Sequence, residues 1–172
     1  TCYRNSKNYD SNWISAGSAL WFLREAKFLS NARYMMGSSC AISGTGFMIS
    51  ADILESNGGW IHHLLTEDIE FSTDCIAHGI RIGYCADAYV YDEQPTTMKD
   101  SWRQRMRWAK GFYQVLLKYG SFLFNGIFKG KQGRFACYDM FMTIAPAMLL
   151  TLAGVAVNLV FCLTGIVQMA GI

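Results

Sequence analysis

No glycine-rich phosphate loop is present: neither G-x-G-x-x-G nor G-x-x-x-x-G-K-[ST] occurs. The backbone cradles those motifs build for a nucleotide phosphate are therefore excluded from these residues. No D-x-D pair occurs either, so a nucleotide-bound divalent metal would find its ligands outside them. There is also no C-x-x-C pair. The six cysteines are scattered at Cys2, Cys40, Cys75, Cys85, Cys137 and Cys162, which argues against a disulfide framework or a zinc site and for reduced, cytoplasmic usage. Cys75 and His78 stand at ligand-like spacing, but a lone pair of this kind reads as packing, and His62-His63 as a polar loop. Internal repeats and low-complexity tracts are missing. A formal charge of +2 is too small for a dedicated nucleic-acid binder.

The longest absence is of charge. All 15 Lys and Arg and all 13 Asp and Glu lie at or before Asp139, leaving residues 140–172 without any. A bilayer core takes about 20 apolar residues, so this run is expected to cross a membrane once with its leading part at the interface, a buried core helix being the alternative. Lys129, Lys131 and Arg134 just upstream would place residues 1–139 on the cytoplasmic side. The sequence opens on TCYRNS, without Met or a signal-peptide pattern, and closes inside the apolar run. It is expected to be a segment of a longer protein.

A chain of 172 residues suffices for one domain with a core. Trp13, Ala16, Leu20 and Leu23 recur at helical spacing, predicting a helix over 11–36 that Gly37-Ser38-Ser39 ends. "CAISGTGFMIS" (40–50) predicts a strand broken by a turn at Gly44-Thr45-Gly46. A short helix over 51–56 stops at Asn57-Gly58-Gly59. Thr66 is placed to cap a helix over 66–78, and "RIGYCADAYVY" (81–91) predicts a strand. Pro95 marks the turn into a helix over 98–118. Residues 112–128 are aromatic-rich with Lys118 as their one charge, which suits a segment in the headgroup region or an ordinary amphipathic core helix. Alternating helices and strands indicate an α/β domain.

Two stretches carry chemistry. In "DSWRQRMRWAKG" (100–111), Gln104, Arg107 and Trp108 stand at i, i+3 and i+4 and project from one side of a helix. An Arg fork and an amide match a diphosphate, and a Trp face suits the C–H-rich face of a sugar. A basic helix lying on anionic lipid, with Trp as its anchor, has the same composition. In "LLTEDIEF" (64–71), Glu67, Asp68 and Glu70 crowd a first helical turn. They serve the helix dipole there, or their mutual repulsion raises one pKa and makes a general base.

Taken in order, Thr66-Glu67-Asp68 followed by Gln104-Arg105-Met106-Arg107-Trp108 resembles the TED and Q-x-x-R-W pair of membrane-bound family 2 glycosyltransferases. That group contains the cellulose, chitin, hyaluronan and poly-N-acetylglucosamine synthases. The resemblance implies a partial GT-A domain: residues 1–111 as its acceptor-side half, 112–139 as an amphipathic interfacial segment and 140–172 as a transmembrane region. It further implies that Asp68 is the general base, with Thr66 and Glu67 shaping and orienting it. Gln104 and Arg107 would bind the donor diphosphate, and Trp108 would line the acceptor site. Gly44, Thr45 and Gly46 fall where such enzymes place a loop near the acceptor terminus.

The implied reaction is an inverting, processive transfer from a UDP-sugar to a growing glycan, with Mg²⁺ or Mn²⁺ held outside these residues. "CAISGTGF" and "HHLLTEDIEFS" look most like bacterial enzymes that use UDP-N-acetylglucosamine. Two other classes remain at this stage. One is a non-catalytic, membrane-anchored domain whose basic helix binds anionic lipid or a partner. The other is a single-stranded nucleic-acid binder using Trp102, Trp108 and the arginines, disfavoured by the low charge and the apolar tail.

Overall fold

A computed structural model describes residues 1–129 and 133–169. Lys131 and residues 170–172 of the uncharged run lie outside that range. The elements in order are β1 (Cys2–Ser6), α1 (Trp13–Leu23), a π-helical stretch (Arg24–Ser30), α2 (Asn31–Met35), α3 (Ala51–Ser56), α4 (Glu67–Ala77), β2 (Cys85–Asp92), α5 (Met98–Lys129), α6 (Arg134–Ile144) and α7 (Pro146–Met169).

β1 and β2 form a two-stranded parallel sheet running from Cys2↔Cys85 to Ser6↔Asp92, with an irregularity between Cys2 and Tyr3. The sheet is tied beyond its last pair. Lys7 N–H donates to the Asp92 carbonyl, and the Asn8 amide exchanges bonds with Gln94 at 2.8 Å in each direction. Asn12 Nδ2 reaches the Thr96 carbonyl at 2.7 Å. The same Asn12 caps α1: its Oδ1 accepts from the N–H groups of Ile14 and Ser15, and Ser15 Oγ returns the bond to the Asn12 backbone. Such a cap is worth about 1 kcal/mol. One residue thus starts α1 and fixes it against the chain entering α5.

α4 is the central element. On one side Ile69 and Ile76 join Val115, Tyr119 and Leu123 of α5 and Ala136, Cys137, Met140 and Ile144 of α6. On the other, Phe71 and Cys75 join Ala26, Cys40, Ile42, Ile82 and Tyr84. A helix with apolar residues all round has to be enclosed, and seven of the α4 residues are buried, Glu70, Ser72 and Thr73 among them.

Three expectations change, and one strand was not anticipated. Residues 40–50 are not a strand but an irregular segment, because the Ile42 N–H bonds sideways to Ser72 Oγ at 2.8 Å instead of joining a ladder. The helix expected to end near 118 continues to Lys129, since Tyr119, Gly120 and Leu123 have a docking face to bury. β1 carries no sequence signal of its own and is found only by its pairing with β2. Finally, the uncharged run is divided between two helices, α6 and α7. Among the described residues no single helix is long and apolar enough to cross a membrane, although α6 with residues 149–165 of α7 passes by length and composition as a pair bent by 50°. The break falls at Ala145-Pro146. Proline has no N–H for the helix ladder, yet its fixed φ suits the first position of a new helix.

α6 is also anchored by polar bonds. Arg33 of α2, itself buried, donates to both oxygens of Asp139 and to Thr143 Oγ1, at 2.6 to 3.2 Å.

Candidate active site

Asp68 stands in the first turn of α4, half-buried. Its Oδ2 accepts the Gly44 N–H at 2.5 Å and its Oδ1 accepts that of Ile69 at 2.8 Å. Ser72, one turn on, takes the Ile42 N–H and donates to the Asp68 carbonyl at 2.7 Å. The 42–44 segment is therefore laid along α4 by two bonds spaced i and i+4. Gly44 and Gly46 both have φ of +78°, a region costly for other residues. At Gly46 the requirement is also spatial, because a Cβ there would overlap Cys2 and Val90 of the sheet.

Burial raises the Asp68 pKa above the usual carboxylate value, the two backbone N–H groups lower it in part, and the charge of Glu67 adds to the rise. The crowding expected from sequence is a minor contribution; desolvation leads. Two residues on, the balance is opposite. Burial would raise Glu70, but bonds from Lys118 and the Leu64 N–H more than offset it and leave its pKa lowered. The two neighbouring carboxylates are thus shifted in opposite directions, Asp68 upward chiefly by burial and Glu70 downward chiefly by the Lys118 bond.

Thr66 does not cap α4. Its side chain makes no capping bond, and Oγ1 is buried without a hydrogen-bond partner. It lies against α5 instead, where a Cβ at Gly111 would overlap the Thr66 methyl and hydroxyl. Glu67 is exposed.

On α5, Gln104 and Arg107 line one cavity of about 370 Å³ together with Pro95, Asp100 and Arg103. Trp108 lies edge-on to Phe22 of α1, with ring centroids 5.9 Å apart. Two residues with no sequence signal connect these parts. Arg4 of β1 stacks on the Phe22 ring at 3.7 Å, pairs with Asp92 and donates from Nη1 to the Ser43 carbonyl at 2.6 Å. A continuous path thus runs from Asp68 through Gly44 and Ser43 to Arg4, Phe22 and Trp108. It joins the two motifs and the Gly44-Thr45-Gly46 turn, in which Thr45 is exposed.

His62 is likewise more than a polar loop residue. It is 2 % exposed, contacts Trp60 and Phe71, and pairs with Asp74 at 3.1 Å. Cys75 is packed, as expected, its thiol pushed up to about 12 by burial. Among the described residues no group of three or more His, Cys, Asp or Glu is placed to hold a metal ion.

The chain belongs to glycosyl transferase family group 2, whose model matches residues 1–169. Among curated proteins it is similar to the "Probable glycosyltransferase YdaM" of Bacillus subtilis, 40% identical over 45% of this chain and 19% of that protein. It is similar to the "Beta-monoglucosyldiacylglycerol synthase" of Trichormus variabilis, 27% identical over 79% of this chain and 27% of that protein. The "Poly-beta-1,6-N-acetyl-D-glucosamine synthase" of Staphylococcus aureus is 31% identical over 52% of this chain and 22% of that protein. The chain therefore spans about a fifth to a quarter of the length of these relatives. No solved structure matches it.

Proposed function

We propose that the protein containing these residues is an inverting glycosyltransferase in which Asp68 deprotonates the acceptor hydroxyl. The observation that carries this reading is the Asp68 carboxylate itself: half-buried, its pKa raised, and linked through the Gly44 turn and Arg4 to the helix bearing Gln104, Arg107 and Trp108. The acceptor oxygen attacks the anomeric carbon and gives its proton to Asp68. The bond from that carbon to the nucleoside diphosphate breaks, and the electron pair leaves on the phosphate oxygen. The transition state resembles that of glycoside hydrolysis. Arg107 and Gln104 stabilise the departing charge, Trp108 offers its face to the acceptor sugar, and Thr66 and Glu67 frame the base.

UDP-N-acetylglucosamine with a growing glycan as acceptor, transferred processively, is the leading assignment, supported by the similarity to the staphylococcal synthase. A specific observation favours a second: the glucosyldiacylglycerol synthases match over a larger share of this chain, which makes UDP-glucose and a diacylglycerol hydroxyl the runner-up pair. Residues 1–111 form the acceptor-side half of the catalytic domain in this reading. Residues 112–139 are the interfacial segment and 140–172 the membrane region, with the catalytic part on the cytoplasmic side. The exposed Phe122, Phe124, Phe128, Phe135 and Tyr138 beside Lys129 and Arg134 support contact with lipid.

The test is UDP release by the whole protein in lipid, from a panel of UDP-sugars with Mg²⁺ or Mn²⁺ supplied, offered glycan or diacylglycerol. Turnover with one pair, abolished by Asp68→Asn while UDP binding persists, establishes the reaction and names its substrates. Unchanged turnover in that variant refutes the base. No release from any donor by a folded, lipid-bound protein moves the assignment to an anchored binding domain.

A further inference from the structure

Resting on the transferase reading, the structure points to a role for a residue pair outside both motifs. Glu70 is 1 % exposed in its side chain. Its Oε1 accepts from Lys118 Nζ at 2.6 Å, and its Oε2 from the Leu64 N–H at 2.9 Å. One carboxylate thereby holds the loop that delivers Thr66-Glu67-Asp68, the helix that carries Asp68, and α5. The next loop residue follows the same pattern, with the Leu65 N–H directed at Gln114 Oε1 at 3.4 Å. Thr66 then lies on Gly111.

On α5 these docking residues are Gly111, Gln114 and Lys118, with the fully buried Val115 among them. Their spacing of three and four continues the stripe begun by Gln104 and Trp108, so one side of a single helix carries both sets. Sliding or turning α5 on α4 by one residue would carry Gln104, Arg107 and Trp108 about 1.5 Å along the axis and about 100° around it. Apolar contacts between α4 and α5 tolerate small slides. The buried Glu70 carboxylate is less forgiving, because a shift that takes Lys118 Nζ out of its reach strands a buried charge. A buried ion pair is also weak evidence for stability in itself, since an apolar pair often serves as well. Its geometric selectivity is what an apolar pair lacks.

We propose that Glu70 and Lys118 form a positioning latch that sets the register of α5 on α4, and with it the placement of the diphosphate-binding side chains relative to the Asp68 carboxylate. Neither residue touches substrate; both act through the helices they join.

The experiment compares Lys118→Met, Lys118→Arg, Glu70→Gln and the apolar double variant Glu70→Met/Lys118→Leu in the whole protein in lipid. Readouts are kcat and KM for the donor, UDP binding, and thermal unfolding. Lys118 is 51 % exposed, so its replacement leaves the fold accessible to measurement. The expected result is a kcat about 10- to 100-fold lower in Lys118→Met and Glu70→Gln, the scale of a misplacement of about 1 Å. The donor KM stays within about twofold, and Lys118→Arg regains most of the lost turnover. The apolar double variant keeps its unfolding temperature yet stays slow, which a purely structural pair would not show. Normal kcat in folded Lys118→Met, an arginine variant as slow as the methionine one, or full turnover in the apolar double variant overturns the latch. These outcomes are separable from failure of the transferase reading, which would show as a wild type without turnover or an Asp68→Asn variant that retains it.

Discussion

The two halves of α5 share one helix and little else. From Met98 to Lys110 it exposes Trp102, Arg103, Arg105, Met106, Arg107 and Lys110. From Gly111 to Leu123 it buries Gly111, Val115, Tyr119, Gly120 and Leu123 against α4 and α6. The second half is built to be held. The first has almost nothing holding it beyond Ser101, the Trp108 contact with Phe22 and the backbone it shares with the docked half. A helix is stiff over such a length, so fixing one end places the side chains of the other without packing that would obstruct a ligand. That division of labour is open to test from either half.

The largest expected effect lies in the docked half. Leu123→Ala empties a fully buried site and should cost about 3 kcal/mol, read as a shift in chemical denaturation of the solubilised protein. Next comes Arg107→Ala in the presenting half. Turnover should fall about 100-fold, about 2.7 kcal/mol in barrier, with stability changed by less than about 0.5 kcal/mol as for other exposed substitutions. A matching loss of stability would erase the contrast between the halves. Gly111→Ala, at their junction, is smaller. Its Cβ meets Thr66, an overpacking cost of about 2 kcal/mol offset by about 1 kcal/mol of helix propensity. The net loss of about 1 kcal/mol should be accompanied by slower turnover, because the displaced neighbour is Thr66.

The smallest effect is a displaced pH limb. Asp68 has its pKa raised, so kcat/KM should fall with acidification at a pH above the value of about 3.9 for a free aspartate, and Asp68→Asn should remove the limb along with the activity. Glu70 is shifted the other way. The stability it contributes is present above its unfolded value of about 4.3 and is lost only as pH falls through its lowered folded value. A rate profile paired with a denaturation profile at each pH would read the two shifts independently, the first from Asp68 and the second from Glu70.

Local signals made the helices legible. Apolar spacing and the Gly37 and Gly79 stops delimit α1–α2 and α4 to within a few residues, because a helix end is decided by nearby backbone groups. The two motifs were equally visible, since each is contiguous and their residue types match the chemistry proposed for them. Four features were not. β1 is a strand only because β2 lies beside it. Residues 40–50 fail to be one because Asp68 and Ser72 take their N–H groups. The continuous uncharged run concealed a bend, although Pro146 was its signal. Arg4 and Phe22 carried no motif at all. Their importance comes from meeting Ser43 and Trp108 across large sequence separations.

By itself the sequence determined the helical segments, the ordered pair of motifs and, through them, the family to which the model match assigns the chain. Each of these rests on contiguous residues or on a backbone period that a linear pattern can express. Tertiary structure alone decided which of three crowded carboxylates has its pKa raised and which has it lowered. Burial and bonding partners set those pKa values, and the partners are Gly44 for Asp68 and Lys118 for Glu70, both brought in from elsewhere in the chain.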